Sequence, residues 1–594
     1  MRRVSWTVEL KMQGPLITKS SAIGRHGVDA VMAQSSFVSP TGDGKSEKRY
    51  FLPGTLVKGL LREGWQELAA VEKNFGVLID KWLGEKSHSG QEPERGKLVF
   101  NDFVDWQTPT GEAAQRYRIE IDATRGAVDA GQMQVLDAPY APGQEIRFNG
   151  VIRALVSDEF DVSPIRKAVE QGLNWIASAG GVRSCGFGRV LGASLQEQIT
   201  ACPTCLTCPT PDAPAGTWWD IRFQFQSLLI FSKRRISDNL FESDDVIPGA
   251  AVKGALASMM AVQPDAFGAL HHELHGLRIT HAFPALCGAT RPKHFPMSLV
   301  LFDEQFEDVI RMKQSFVRDG KVGKFDIDWK REKKEDVLEA HGWPKPEYET
   351  RVRTAIEGEF RRQEDEKLFA WKMLVPHERD WVASVSVANL SQEARGQLCS
   401  LLQLGPEPLG KSKALALCTV DDKKVPQIEH PAASYIVTLQ TSALLIDPSR
   451  YLAPNGGIGI TSKTVMEAEF QEAWSQLSDG SLALENYFQR CSLAGGEYLL
   501  HRFKPLGQKQ YKPFLLTDAG STFLLRPTPG RETEALAAIN LWLARGLPLR
   551  ASVAEFYGLG RIPEHELWKY CSYLPENGFG EVAVNAPCPY PEAA

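Results

Sequence analysis

Gly180-Gly181-Val182-Arg183-Ser184-Cys185-Gly186-Phe187-Gly188-Arg189-Val190 places four glycines within nine residues, with Arg183 inside the run and Arg189 just beyond it. Clustered glycines let a backbone come close to a bulky ligand and leave amide N–H groups for phosphate oxygens. A single cluster of this kind is usually no more than a tight turn, so its neighbours decide its meaning. Upstream, a helical pattern runs from Ser163 to about Ala177, and Glu145 to Arg153 alternates as a strand does. At the start of the chain, Val4, Trp6, Val8, Leu10 and Met12 fall on one face of a half-buried strand. Phe51-Leu52-Pro53-Gly54-Thr55-Leu56-Val57-Lys58 then hands a Pro-Gly turn to a helix, with Thr55 as its expected N-cap and Lys58 and Arg62 one turn apart on one face. Strand, helix, strands, helix and a Gly-rich turn into a last strand is the order of a ferredoxin-like (RRM-like) α+β unit.

The pattern then restarts. Trp219 to Phe225 alternates, Val246-Ile247-Pro248-Gly249 to Ala257 repeats the Pro-Gly handover with Lys253 on the helix, and Leu404 to Ala414 stands where the Gly-rich turn stood, carrying Lys411, Ser412 and Lys413. A third unit opens at Ser434 to Thr441 and closes with Asn577-Gly578-Phe579-Gly580 before Glu581 to Val584. This is an internal repeat of element order and spacing. The expected division is 1–197, a Pro/Cys-rich linker over 198–217, a second unit over 218–430, and a third over 431–594. A charged excursion near 302–348 in the second unit reads as a solvated helical or mobile insertion.

The chain has 594 residues, of which 43% are hydrophobic and 24% charged, which suits three or four globular units and excludes a small stapled scaffold. Ten cysteines are too few for a disulfide framework at this length. No apolar run reaches the ~18 residues that span a bilayer, and the N-terminal residues lead into a strand pattern, so the expectation is a cytoplasmic protein without a membrane partner. A net charge of −6 cannot recruit a polyanion over long range, so a nucleic acid would need a local basic groove.

Arg502-Phe503-Lys504-Pro505-Leu506-Gly507-Gln508-Lys509-Gln510-Tyr511-Lys512 interleaves cations with aromatics, as single-stranded RNA binding requires, although ordinary solubilising lysines in an exposed loop look the same. Cys202, Cys205 and Cys208 have a spacing that can bring three thiolates to one zinc ion at ~2.3 Å as a structural staple, with no fourth ligand nearby except Cys185 or a distant histidine. The alternative is a reduced linker with chance cysteines.

Together, the Pro53 to Arg62 handover and the Gly180 to Gly188 turn resemble the RAMP superfamily of CRISPR-Cas proteins. The stretch Arg118 to Met133, which includes Arg125, and Ala138-Pro139-Tyr140-Ala141-Pro142-Gly143 are similar to the thumb of type III backbone subunits of the Cas seven family. The remainder is similar, more loosely, to the Cas five-type subunit of type III-D complexes, carried by Ile247 to Ala257, Leu277 to Pro284, Phe295 to Leu299 and Asn577 to Gly580. The resemblance implies tandem RAMP domains with insertions in a type III effector subunit. Its partners would be CRISPR guide RNA, whose 5′ handle it holds or caps, target RNA, and the backbone, large and small subunits. On this reading the RNA contacts are Arg25, Lys58, Arg62, Arg125, Gly180, Gly181, Arg183, Ser184, Gly186, Gly188, Arg189, Lys253, Lys411, Ser412, Lys413, Arg502, Lys504, Lys509, Asn577 and Gly578. Backbone subunits of this family often cut target RNA with a loop aspartate. The matching position is Asp29, with His26 assisting and a divalent cation, Mg, in attendance; the same aspartate could simply cap a turn. Two other readings are a Cas six-like endoribonuclease that processes the precursor transcript and a non-catalytic assembly subunit.

Overall fold

The computed structural model describes residues 1–18, 27–39, 46–84, 95–111, 114–121, 124–202, 214–237, 239–312, 316–318, 320–356, 363–451, 463–496 and 512–592. It is an α+β protein built on several small, mainly antiparallel sheets. In the first unit the sheet runs in the order Arg189–Ala201, Arg2–Gln13, Glu145–Val156, Phe103–Val104, Ser46–Leu52, Gln34–Val38. The last strand of the repeat therefore lies beside the first, and the strand following the first helix lies beside the strand preceding the second. Arg2–Gln13 is central because both its edges are paired, with Trp6 opposite Glu197 on one side and Ile152 on the other.

The same order recurs twice. In the second unit Arg278–Ile279, Arg379–Ser386, Trp218–Phe225 and Ala416–Asp422 lie side by side, and in the third Leu482–Phe488, Thr522–Pro527, Tyr435–Leu439 and Val582–Val584. Period-two alternation explains each central strand. Val4, Trp6, Val8, Leu10 and Met12 are buried, as are Trp219, Ile221 and Phe223, and Tyr435, Val437 and Leu439. Two helices cover the buried face of the first sheet, Gly54–Ala69 through Val57, Leu60, Leu61 and Trp65, and Ser163–Trp175 through Ile165, Val169 and Leu173. Each large side chain so buried contributes about 1.5–3 kcal/mol. The Trp65 indole N–H donates to the Ala168 carbonyl at 2.8 Å and ties the two helices together.

The first and second units are not separated by a bare tether. Strand Arg189–Ala201 continues into the stretch expected as linker, and Met1 and Cys202 pack into the core of the second unit beside Trp219 and Leu402; residues 203–213 lie outside the described residues. The charged excursion carries the expected helix but is anchored to the body by a small apolar cluster shared with the residues before it and with Cys588 and Tyr590. Phe295, Leu299, Leu301, Phe306, Trp329 and Val337 pack together, with helix Arg331–Ala340 closing one side. Its lysines and glutamates form the outer face, which dominates the composition and hides the anchors.

A hairpin of Ala114–Ile121 and Val128–Ala138 extends from the first unit, with Arg125 in its turn. Its base is joined by Ala30–Val31, which runs parallel to Leu136–Asp137. No helix among the described residues is long and apolar enough to cross a membrane.

Candidate nucleic-acid interface

The helix carrying Lys58 begins hard against its own sheet. A side chain at Gly54 would meet the Asn101 carbonyl oxygen at 2.4 Å and that of Phe100 at 2.6 Å, so only glycine allows this approach. Thr55 lies inside the helix and does not cap it. The capping acceptor is Asp102, whose Oδ1 takes the Gly54 N–H at 2.9 Å. Asp102 is fixed in turn by Arg351, which arrives from the ribbon Tyr348–Ile356 of the second unit.

This start leaves Lys58 facing the second unit's bend. Thr55, Lys58, Asn101, Arg351, Lys411, Ser412 and Lys413 line one hollow of about 210 Å³. The structure therefore brings four of the expected RNA contacts together, from two units and more than 350 positions apart in sequence. Its electrostatics are one-sided. Burial pushes the Lys58 ammonium down to about 8, and the charges of Lys413 and Arg62 push the same way. Lys413 is lowered by burial and then by Arg95 and Arg153, and Lys411 by burial alone. The acidic group in the wall, Asp102, is already held by Arg351 and the Gly54 amide. An anion entering the hollow would relieve this repulsion.

Most amides of the bend are spent within the protein, so its side chains carry the larger part of what it presents. The N–H groups of Leu409, Lys411, Lys413 and Ala414 donate to carbonyls within the protein. Lys413 adopts a positive φ of 54°, a conformation sparsely populated by side-chain-bearing residues, which persists only where surroundings impose it. Those surroundings are Arg153, donating to the Lys413 carbonyl at 2.8 Å, and Gly96, whose carbonyl accepts from Lys413 Nζ at 3.2 Å. The Ser412 hydroxyl is buried and has no hydrogen-bond partner among the described residues.

No family model matches the chain, and no curated protein matches it. Solved structures do. One chain of a Type IV-B CRISPR complex aligns with 35% of this chain and 95% of its own length, at 14% identity and a TM-score of 0.23. A chain of the Type III-B Cmr-beta complex bound to cognate target RNA and AMPPnP aligns with 51% of this chain and 86% of its own, at 12% identity and a TM-score of 0.29; the same complex with target RNA gives 0.28.

The other expected residues fall elsewhere. Around the first bend, Arg183 pairs with Glu63 on the Lys58 helix at 3.5 Å, and Ser184, Gly186 and Arg189 are exposed. The amides of Gly181 and Gly188 are spent on the Ile17 and Pro15 carbonyls, and Gly180 sits against the Ile17 carbonyl. Arg62 lies beside Lys58 but donates to the Leu83 and Gly84 carbonyls at 3.0 and 2.8 Å, which fastens its own unit.

The third bend is closed where the second is open. Lys253 holds the repeat position of Lys58, four residues after its glycine, yet it is buried and donates to the Leu277 carbonyl at 2.7 Å and the Glu576 carbonyl at 3.4 Å. Asn577 is buried, and a side chain at Gly578 would meet His281 Nδ1 at 2.4 Å. The closing bend of the third unit plugs the junction that the second bend leaves open in the first.

Arg125 is exposed in the hairpin turn, away from both junctions. Arg25, His26, Arg502, Lys504, Lys509, Cys205 and Cys208 lie outside the described residues. Asp29 is exposed; its Oδ2 accepts the Val135 N–H at 2.6 Å and its own N–H donates to the Val135 carbonyl at 2.8 Å, so the residue clasps its segment to the hairpin. Cys202 is turned into the core with its thiol toward the Ser400 carbonyl, and burial pushes its pKa up to about 11. A zinc ligand must be a thiolate, which this position disfavours. Among the described residues no three His, Cys, Asp or Glu side chains converge as a metal would need.

Arg351, Asp102, Arg95 and Asn101 were not singled out from the sequence. They come from loops and a ribbon with no motif spacing; the packing of the first two units brings Arg351, Asp102 and Asn101 into the wall beside Lys58 and sets Arg95 near Lys413.

Proposed function

We propose that this chain is an RNA-binding subunit of a type III CRISPR effector assembly. In this reading three tandem ferredoxin-like units form its body, and the junction of the first two grips the backbone of a guide RNA. The observation that carries it is the convergence of Lys58, Lys411, Ser412 and Lys413 on one hollow whose acidic neighbour is already occupied. Cations held together at a cost in mutual repulsion, beside a buried hydroxyl with no partner among the described residues, fit a phosphodiester better than a neutral ligand. Base pairing between guide and target would supply the sequence specificity, while the protein reads backbone and shape. The sequence resemblance supplies the guide and its 5′ handle as the RNA in question. In the described residues Asp29 serves the hairpin's attachment, so binding and presentation of RNA, without cutting, form the proposal.

The test is to purify the native assembly, sequence the nucleic acid it retains and map ultraviolet crosslinks onto the chain. A guide with a defined 5′ end, crosslinked within 55–62 or 409–414, is the expected result. Absence of bound RNA, or crosslinks confined to other surfaces, would overturn the reading.

A further inference from the structure

Beyond the lysine hollow, and sharing Val99 and Lys413 with it, a second cavity of about 510 Å³ opens between the first and second units. Its size falls within the range of small-molecule sites. The walls are mostly apolar, with Ala154, Val156, Val262 and Pro408 among them, and Phe160 offers a half-exposed ring. That ring is backed by buried Trp82, 5.6 Å away between centroids, so it is held at a fixed angle. The rim has the opposite character. Lys81, Arg95 and Lys97 are exposed there and Lys413 half-exposed, while the one carboxylate in the wall among the described residues, Glu407, is consumed by Arg3 and Arg153.

An apolar slot with a rigid aromatic wall and a cationic mouth selects a ligand with a flat body and an anionic tail. We propose that this cavity binds a nucleoside 5′-phosphate, its base against Phe160 and its phosphate at Lys81, Arg95 and Lys97. The nucleotide can be free, or it can be an unstacked unit of an RNA strand lying in the adjoining hollow; the second source rests on the function proposed above. The larger cleft between the second and third units makes a useful contrast. It exceeds 1000 Å³, but its charged lining is mixed, with Glu273, Glu555, Glu564 and Glu576 beside Arg561 and a Lys253 spent on backbone carbonyls, and so lacks a one-signed cationic mouth.

Calorimetric titration of the full chain with AMP, ribose 5-phosphate and inorganic phosphate tests the proposal. Base stacking on an aromatic ring should make AMP bind roughly ten- to a hundredfold tighter than ribose 5-phosphate. Phe160→Leu, which keeps an apolar contact with Trp82, should remove that preference, and Arg95→Glu with Lys97→Glu should weaken both ligands alike. Equal binding of AMP and ribose 5-phosphate to the wild-type chain overturns the proposal without reliance on any variant, and so does a preference that survives Phe160→Leu. The source is read from an RNA strand bearing 8-azidoadenosine. A crosslink to residues 155–160 that AMP displaces assigns a unit of the strand, and AMP binding without such a crosslink assigns the free nucleotide. Absence of an AMP preference in a wild-type chain that still retains RNA overturns this site alone, whereas AMP binding by a chain that retains no RNA overturns only the proposed function.

Discussion

Arg153, on a central strand of the first unit, meets Glu407, in the bend of the second, at 2.7 Å, and the other carboxylate oxygen takes Arg3 at 2.5 Å. All three side chains are buried. Arg153 also donates to the Lys413 carbonyl, and Arg3 to that of Gly405, so one carboxylate fixes both ends of the bend. The basic hollow therefore depends on a buried lock that holds two of its wall residues, Lys413 by its carbonyl and Asn101 by its side chain, from behind.

Removing only the charge of that lock leaves two guanidinium groups buried against a neutral amide. Glu407→Gln should cost about 3–5 kcal/mol, the usual penalty for breaking a buried ion pair from one side. The loss should appear as an earlier urea transition and as faster hydrogen exchange at Gly405 to Lys413. Unchanged exchange in that stretch would mean the bend is held by something else.

Lys58 and Lys253 occupy the same position of the repeat and differ in what closes over them. Lys58→Met should lower RNA affinity roughly fivefold at moderate salt and reduce the slope of log affinity against log salt by about 0.7, the single-strand value for one phosphate contact. Lys253→Met should leave both quantities alone and instead lower stability, because the Leu277 and Glu576 carbonyls lose their donor. Filter binding across a salt series measures the first pair of outcomes, and thermal unfolding the second.

This contrast also marks how far the sequence could be read. Alternation identified the central strands, and the Pro-Gly-Lys handover identified two helix starts, because both are local consequences of burial on one face. Whether a bend stays open is decided by residues hundreds of positions away: Lys253 meets Glu576, and Lys58 meets Lys413. Asp102 displaced Thr55 as the helix cap for the same reason, since a cap from another segment leaves no mark at the expected spacing. The anchors of the insertion are hidden by its composition, its few aromatics being outnumbered by the charges that cover them.

Affinity should also depend on pH, with the sign set by Lys58. Its free-state value near 8 means that below pH 8 the ammonium is already charged and binding is flat. Above pH 8 the empty site loses the proton, while bound phosphate pulls the pKa back up, so binding takes up a proton and weakens with rising pH by at most about tenfold per unit. Lys58→Arg, charged throughout, should make the profile shallower between pH 8 and 9.5, leaving the part carried by Lys413 and Lys411, which burial also lowers. A wild-type profile already flat over that interval would remove Lys58 from the contact.

Asp29 offers a smaller effect with a specific address. Asp29→Ala removes the acceptor of the Val135 N–H at an exposed site, so stability should fall by about 1 kcal/mol or less. Exchange at the Val135 amide should quicken while RNA affinity at the lysine hollow stays the same, and a drop in that affinity would contradict the separation of the two regions.

The closed junction between the second and third units should fail in acid. His281 is buried there, its Nδ1 accepting the Gly249 N–H at 3.4 Å and its ring edge-on to Phe579 at 4.7 Å. Burial lowers its pKa from the ordinary 6.5 to about 4, with Arg291 pushing the same way and Glu581 opposing. Between those two values the unfolded chain binds a proton that the folded chain refuses, so stability is full above pH 6.5 and declines as pH falls toward 4. One histidine can withdraw up to about 3 kcal/mol in this way. His281→Asn preserves an acceptor for Gly249 and removes the titration. The variant should therefore show a shallower fall in melting temperature from pH 6.5 to 4.5 than the wild-type chain, and parallel profiles would assign the acid sensitivity to other groups.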